Sequence, residues 1–304
     1  MNARATRGLV VVTALLVVLA GCRTRSTAIN EGSLLHAGEI MAPGRHFDHV
    51  IVIVLENQTY ARVAADPYFA GLAQRGAVFT DFRALFHPSY PNYLAMVSGR
   101  SFMTRGDRQV TVDFPCIADA LTAHGLTWRN YAEGYRGAPG RCDLRAGIDR
   151  YARRHVPFLS FRSVQRAHCA GVVGADQLPT DASRHQLPAY AFYSPNLDHD
   201  GHDPVSNPRV GLRKATTWLR TFLDPLLGRP ELSGTLVVLT FDESEDRAPE
   251  NRIFTAFLGD MVRPGRIDGS YNHFNVLRTI EDNFGLQPMG EGDKRARPIG
   301  AAWK

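Results

Sequence analysis

The sequence has 304 residues, of which 44% are hydrophobic and 21% are charged, a composition that excludes disorder as the default. Its length suits one large α/β domain or two small ones. The formal net charge is +5, and without Arg4 and Arg7 of the leader 33 basic residues stand against 30 acidic ones. A charge so small and so scattered gives no support to a nucleic-acid-binding protein, and no nucleic acid partner is expected.

The chain begins with the pattern of a targeting signal. Arg4 and Arg7 precede an apolar run from Leu9 to Leu19, which is shorter than the roughly 20 residues of a membrane-spanning helix. The run ends in Leu19-Ala20-Gly21-Cys22, which resembles a bacterial lipobox and implies lipidation of Cys22. A plain signal peptide or a short anchor is the alternative interpretation.

These signals divide the chain into three parts. We predict a lipoprotein signal peptide at 1–21, a polar tether at 22–45 and a single folded domain at 46–304. Arg23, rather than an aspartate, follows the lipidated cysteine, which resembles the outer-membrane signal of Gram-negative cells. The expected location is therefore the cell envelope, at the outer membrane or the periplasmic face, with the chain held at the membrane by its lipid.

Cysteines beyond Cys22 predict one disulfide if that compartment is oxidising. Cys116, Cys142 and Cys169 allow three pairings, each with one thiol left over. Their spacing has no metal-site pattern. We favour Cys142–Cys169, because both residues flank the same loop-rich stretch.

Strands and helices alternate along the rest of the chain. Two continuous apolar runs, at 48–55 and 235–241, predict strands buried on both faces of a parallel sheet. Further strands are predicted at 77–82, 127–131, 189–193 and 253–258, and helices at 67–76, from Pro91 to Gly99, 116–125, 207–227 and 274–284. Residues 133–185 have no clear period and predict a lid or insertion, and the tail from 287 is predicted to be exposed. The alternation predicts a three-layer α/β/α sandwich with a mostly parallel central sheet.

Acidic and amide side chains follow both of the buried strands. Glu56 and Asn57 follow the first strand, and Asp242 and Glu243 follow the second. Each could be a helix cap or part of a solvated turn, but open α/β sheets bind ligands at the carboxyl ends of their strands. We therefore expect these groups to hold a divalent cation. Carboxylates alone suit Mg, Ca or Mn, whereas added histidine ligands would favour Zn.

Ser89 precedes the helix predicted from Pro91, where free backbone N–H groups and the helix dipole favour an anion. A serine in this position is often only a cap. A cation held by Glu56, Asp242 and Glu243 would lower the pKa of its hydroxyl and neutralise charge on a phosphoryl group. Histidines at the site could protonate the leaving group. The pattern predicts metal-assisted phosphoryl transfer through a seryl intermediate.

Six ordered segments within 48–285 resemble the phosphoesterase family of bacterial phospholipases C and of bacterial and fungal acid phosphatases, in the alkaline phosphatase superfamily. The segments are Val54 to Asn57, His87 to Tyr93, Tyr151 to Pro157, Ser194 to Asp203, Thr240 to Glu243, and Tyr271-Asn272-His273. The loop from Ser194 to Asp203 most resembles the acid phosphatase branch. The resemblance implies an alkaline phosphatase-like fold and a hydrolase acting on phosphoric esters.

The resemblance also implies roles for individual side chains. The expected metal ligands are Glu56, Asn57, Asp242 and Glu243; the catalytic residues are Ser89 as nucleophile with His155, His202 and His273; and the substrate contacts are Asn57 and His199. His87 and His199 could compete with these histidines for their roles, and His199 is close enough in the loop to replace His202.

The expected activity is metal-dependent hydrolysis of small phosphomonoesters, as in acid phosphatases, through a phosphoseryl intermediate. One alternative is a phosphodiesterase of the phospholipase C type, and another is a catalytically inert binding lipoprotein. Ser244-Glu245-Asp246-Arg247 stands where larger phospholipases of the family have a Gly-Gly run and a histidine, which disfavours the phospholipase.

Overall fold

The computed structural model describes residues 45–101, 106–138 and 140–304. The predicted signal peptide, Cys22 and the predicted tether up to residue 44 lie outside the described residues. Within the described ranges, every helix is too short or too polar to span a lipid bilayer.

A mixed sheet of nine strands forms the centre of the described domain. The strands of the domain are β1 (His49–Leu55), β2 (Gly76–Arg83), β3 (Trp128–Ala132), β4 (Gly147–Ile148), β5 (Tyr151–Ala152), β6 (Val172–Gly174), β7 (Tyr190–Ser194), β8 (Thr235–Phe241), β9 (Arg252–Ile253), β10 (Thr255–Leu258) and β11 (Gly265–Asn272). The sheet order is β11-β2-β10-β8-β1-β7-β3-β6, with β9 beside β2, while β4 and β5 form a separate pair.

Helices flank this sheet. They are α1 (Tyr60–Ala65), α2 (Pro67–Gly71), α3 (Ser89–Ser98), α4 (Ile117–Ala123), α5 (Gln177–Ser183), α6 (Pro208–Leu227), α7 (His273–Phe284) and α8 (Glu291–Arg295). Every residue of β8 and all but the first of β1 are buried, so the central strands are covered on both faces. The predicted α/β/α sandwich is thereby confirmed.

The register between β1 and β8 aligns the carboxyl ends of these two strands, where the predicted site residues follow. The two strands run parallel, and Leu55 lies opposite Phe241 at their carboxyl ends. The chain therefore leaves both strands at the same level of the sheet, at Glu56 and at Asp242. The parallel pairs β1–β7, β3–β7 and β3–β6 extend this edge, whereas β10 is antiparallel to β8 and β2.

The helix that begins at Ser89 starts earlier than the sequence predicts. Pro91 is the third residue of α3, a position where the missing N–H removes no hydrogen bond because the first turn has no internal acceptor for it. The helix ends at Gly99 as predicted, with φ of 64° in the left-handed region.

Residues 133–185 contain more regular structure than the sequence suggests. β6 adds an edge strand to the main sheet beside β3, and Cys142 and Cys169 form the favoured disulfide. Cys116 is a buried free thiol.

The prediction that the tail from 287 is exposed is wrong. Ile299 and Trp303 are buried, and the Trp303 ring stacks on His46 with 4.8 Å between ring centroids. The first and last parts of the described domain therefore pack together.

Candidate active site

Ser89 lies at the centre of the predicted acidic group. It is buried at the first residue of α3, and its Oγ lies 3.1 Å from Glu243 Oε1, 3.2 Å from the Asn57 carboxamide and 3.4 Å from Glu56 Oε2. The structure thus brings Ser89 next to Glu243, which lies 154 positions later in the sequence.

Asn57 links the ends of the two central strands. Its backbone N–H donates to Asp242 Oδ1 at 3.0 Å, and its φ of 40° is in the left-handed region. Asparagine tolerates this conformation better than most residues. The turn directs the Asn57 carboxamide towards Ser89 Oγ. The unusual backbone conformation of Asn57 thus positions a side chain of the site.

The carboxylates of the site are buried close to one another. Burial, followed by repulsion from Asp242, raises the pKa of Glu56 well above its usual range. Burial and the Glu243 charge raise the pKa of Asp242 to about 7, and burial likewise raises that of Glu243 to about 7. Among the described residues, the basic side chains within 4.0 Å of the Glu56 and Glu243 carboxylates are histidines, with no lysine or arginine among them. This excess of buried acid is typical of a functional site.

The donor set fits a divalent cation. Glu56, Asp242, Glu243 and Asn57 offer only oxygen atoms, together with Ser89 Oγ, and hard cations prefer such ligands. In the part of the chain described, no three His, Cys, Asp or Glu side chains form a preassembled metal cluster. A cation held by these oxygens would remove the mutual repulsion of the carboxylates.

His155 lies directly behind Glu56. Its Nε2 is 3.2 Å from Glu56 Oε1, and its ring stacks on Tyr93 with 5.3 Å between centroids. Burial lowers the pKa of His155 well below its usual range, with the Arg154 charge adding to the effect. The imidazole is therefore neutral.

The two histidines of the loop after β7, His199 and His202, contact different groups. His202 lies on the side of the site, with Nδ1 4.0 Å from Glu56 Oε2. His199 bonds instead to Glu133 Oε2 at 2.7 Å, and its ring stacks on Trp218 at 5.5 Å. The structure therefore brings His202, but not His199, into contact range of the acidic group.

His273 contacts the site through the main chain. Its Nε2 lies 3.0 Å from the Asp242 carbonyl oxygen, and burial lowers its pKa to about 4. A neutral imidazole with its proton on Nε2 donates this bond. The geometry places His273 as a support for the Asp242 backbone.

Three more residues contact the site; two of them were not predicted, and the third, His87, was named only as a competitor for the histidine roles. The Tyr93 hydroxyl donates to Glu56 Oε1 at 2.7 Å, His87 Nδ1 is hydrogen-bonded to Glu243, and the Asp200 carbonyl accepts from Glu56 N at 2.7 Å. Tyr93 follows Ser89 by four residues in the same helix, and this spacing could have identified it. Asp200 is buried, and burial raises its pKa to about 7.

Comparisons with known proteins identify the family of this chain. The model of the Phosphoesterase family matches residues 60–287. The chain is 33% identical to a probable acid phosphatase of Kluyveromyces lactis, over 84% of this chain but only 62% of that protein. It is 32% identical to a phosphatidylinositol-3-phosphatase of Mycobacterium tuberculosis, over 84% of this chain and 83% of that protein.

Solved structures show the same fold at low identity. A protein in the alkaline phosphatase superfamily from Vibrio parahaemolyticus superposes with a TM-score of 0.59 and 13% identity. The match covers 86% of this chain and 72% of that one.

Proposed function

This chain belongs to the phosphoesterase family, and we propose that it is a metal-dependent acid phosphatase acting on small phosphomonoesters through a phosphoseryl intermediate. The observation that carries the proposal is the position of Ser89 Oγ, which lies 3.1 Å from Glu243 and 3.4 Å from Glu56 at the start of α3. Relatives named as acid phosphatases support the reaction class.

The first turn of α3 suits a phosphoryl group. The backbone N–H of Tyr90 donates to Asp107 Oδ1 at 3.2 Å, so an anionic oxygen already sits at this helix end. Phosphoryl oxygens are likewise anionic acceptors and would replace that carboxylate. The phosphorus would then lie next to Ser89 Oγ.

A bound divalent cation would lower the pKa of the Ser89 hydroxyl and screen charge on the phosphoryl oxygens. Glu56, Asn57, Asp242 and Glu243 would hold that cation. Glu243 Oε1 accepts the hydrogen bond of the Ser89 hydroxyl and orients its oxygen. As the bond from Ser89 Oγ to phosphorus forms, the bond from phosphorus to the alcohol oxygen breaks.

His202 is the best placed proton donor for the leaving alcohol, because its side chain is 22% exposed beside the buried Glu56. After the alcohol departs, water attacks the phosphoserine, and the neutral His202 takes the proton from that water. Glu243 Oε1, which takes the hydroxyl proton of Ser89 when Oγ attacks phosphorus, returns that proton to Ser89 as inorganic phosphate leaves. His155 and Tyr93 hold Glu56 in position throughout.

The experiment compares Ser89→Ala with the wild type on a chromogenic phosphomonoester and on the matching diester, from acid to alkaline pH. We expect Ser89→Ala to lose at least ~10³-fold in kcat, as expected for loss of a nucleophile, and a chelator to abolish wild-type turnover. Ser98→Ala is the matched control, because Ser98 Oγ bonds to Leu94 O at the other end of the same helix. Mass spectrometry of acid-quenched enzyme should find phosphate on Ser89.

Undiminished turnover by Ser89→Ala would rule out the seryl mechanism. Hydrolysis of the diester without the monoester would favour a phosphodiesterase of the phospholipase C type. A chain that turns over neither ester and binds no metal would be an inert binding lipoprotein.

The envelope location is a separate proposal that rests on the sequence around Cys22. Metabolic labelling with a fatty-acid analogue tests it in cells that express the full chain. We expect label on the wild type and none on Cys22→Ser, with both proteins present in equal amount. Equal labelling of the two proteins would contradict the anchor.

A further inference from the structure

Two consecutive arginines in the 3₁₀ turn Arg153–His155 make different contacts. The guanidinium of Arg153 donates to Gln109 Oε1 at 2.9 Å and to the main-chain oxygen of Leu159 at 3.0 Å. Arg154 is only half-buried, yet its Nε is shielded from solvent and has no hydrogen-bond partner in the described part of the chain. Arg153 therefore anchors the turn, whereas the guanidinium of Arg154 remains unpaired among the described residues.

The charge of Arg154 reaches the groups of the active site. Burial raises the pKa of Glu56 and of Asp200, and the Arg154 charge lowers both values in part. It adds to the burial that lowers the pKa of His155 and His202. Arg154 directly precedes His155, whose Nε2 lies 3.2 Å from Glu56 Oε1, so the Arg154 side chain leaves the backbone beside the site.

A guanidinium in this position needs an anionic partner. A partly desolvated cation is costly when it is unpaired, and no carboxylate of the described residues lies within 4.0 Å of Arg154 to form an ion pair. Its planar fork of N–H donors matches the spacing of two oxygens on one phosphoryl group. We propose that Arg154 binds non-bridging oxygens of the substrate phosphate and makes the site selective for monoesters. This inference rests on the proposed phosphatase function.

Selectivity follows from the number of free oxygens. A phosphomonoester offers three acceptor oxygens, and a diester has only two because the second ester bond removes one. If Ser89 and the helix N-terminus engage the phosphoryl group on one side, a forked contact from Arg154 needs oxygens on the other. A diester would place its second substituent there, where it gains little from a guanidinium.

The test compares wild type, Arg154→Gln and Arg154→Lys, with Arg295→Gln as the matched charge control. Arg295 is 81% exposed and pairs with Glu291 on the surface, so its loss should leave activity unchanged. Three quantities are measured for each protein: kcat/KM for a chromogenic monoester, kcat/KM for the matching diester, and the affinity of inorganic phosphate by calorimetry. Circular dichroism and thermal melting check that each variant folds.

We expect Arg154→Gln to lose ~100-fold in kcat/KM on the monoester, comparable to loss of one electrostatic contact, and less than about threefold on the diester. Phosphate affinity should weaken by ~10-fold or more, and Arg154→Lys should recover part of both losses because it keeps the charge without the fork. Equal losses on the two esters, or unchanged phosphate affinity, would overturn the role.

Calorimetry separates this inference from the proposed function. If the wild type hydrolyses neither ester, the phosphatase proposal fails. Weaker phosphate binding by Arg154→Gln would then still support an anion site at this arginine, and unchanged binding would refute it. If Arg154→Gln does not fold, Arg154→Lys gives the same comparison with the charge retained.

Discussion

The Tyr93 hydroxyl donates a 2.7 Å hydrogen bond to Glu56 Oε1, one helical turn after the proposed nucleophile. The helix that carries Ser89 therefore also fixes the orientation of a proposed metal ligand. Partners of this kind commonly change metal affinity by ~10–100-fold when they are removed.

Tyr93→Phe should therefore weaken the apparent affinity for the activating metal by ~10-fold or more, with a smaller loss of kcat at saturating metal. Metal titration of the chelated enzyme measures this. Tyr90→Phe is the matched control, because it also loses a buried hydroxyl contact, to Ser160 Oγ at 2.5 Å, without touching Glu56. Equal metal affinities for the two variants would contradict the role of Tyr93.

His273→Gln should retain most of the activity and leave the shape of its pH dependence unchanged. His273 donates to the Asp242 carbonyl, and its pKa is lowered to about 4, so it is neutral at the pH values where a phosphatase is assayed. Glutamine can donate a similar bond, whereas His273→Ala leaves a buried carbonyl unpaired, at a cost of ~1–3 kcal/mol in unfolding free energy. Loss of one limb of the pH–rate profile in His273→Gln would instead indicate that His273 transfers protons.

Asp107→Asn should tighten substrate binding. The Asp107 carboxylate accepts from the N–H of Tyr90 at the helix end where the phosphoryl group is proposed to bind. Removing its negative charge removes an internal competitor and a repulsion of about 1 kcal/mol. KM for the monoester and the inhibition constant for inorganic phosphate should both fall about threefold to fivefold, as that energy implies. Asp113→Asn, on the surface beside Arg162, is the control. A higher KM in Asp107→Asn would show that the carboxylate assists binding.

Stability should fall as the pH rises, because of Glu281. Burial, followed by the interaction with the neighbouring Asp293, raises the pKa of this carboxyl from 4.5 to about 10. Between these two pH values the folded state keeps a proton that the unfolded state releases. The stabilisation is complete below pH 4.5 and is lost progressively up to pH 10. One such proton gives a slope of at most about 1.4 kcal/mol per pH unit.

Urea denaturation from pH 5 to pH 9 measures that slope. Glu281→Gln keeps a neutral hydrogen-bonding side chain and should flatten the dependence, whereas Glu291→Gln, at a 71% exposed residue, should leave it unchanged. An unchanged slope in Glu281→Gln would assign the dependence to other groups.

The sequence predicts the centre of the fold better than its edges. The run at 235–241 is continuously apolar because β8 is buried on both faces, and the predicted and observed strands coincide. β11 was not predicted, because it is an edge strand with mostly exposed or half-buried side chains and no alternation to detect. The start of α3 differs from the prediction, because Pro91 is compatible with the first turn.

Site residues at the ends of the central strands were likewise easier to predict than site residues in loops. Glu56 and Asp242 were predictable, since each ends a strand whose pattern is unambiguous. His199 and His202 could not be distinguished, because three positions apart in an irregular loop they have no period that fixes their directions. Arg154 follows Arg153, so the sequence alone cannot tell which of the two is hydrogen-bonded. Only the acceptors around Arg153 in the folded structure distinguish it from the unpaired Arg154.

The contact between His46 and Trp303 has a consequence for how the domain can be attached. His46 precedes β1 and Glu56 follows it, so the two residues lie near opposite ends of this strand, which is about 23 Å long for seven residues. Both ends of the described domain therefore emerge at the back, away from Ser89. A support, fusion partner or surface coupled through either end would leave the catalytic face directed outwards, open to substrates that diffuse freely in solution.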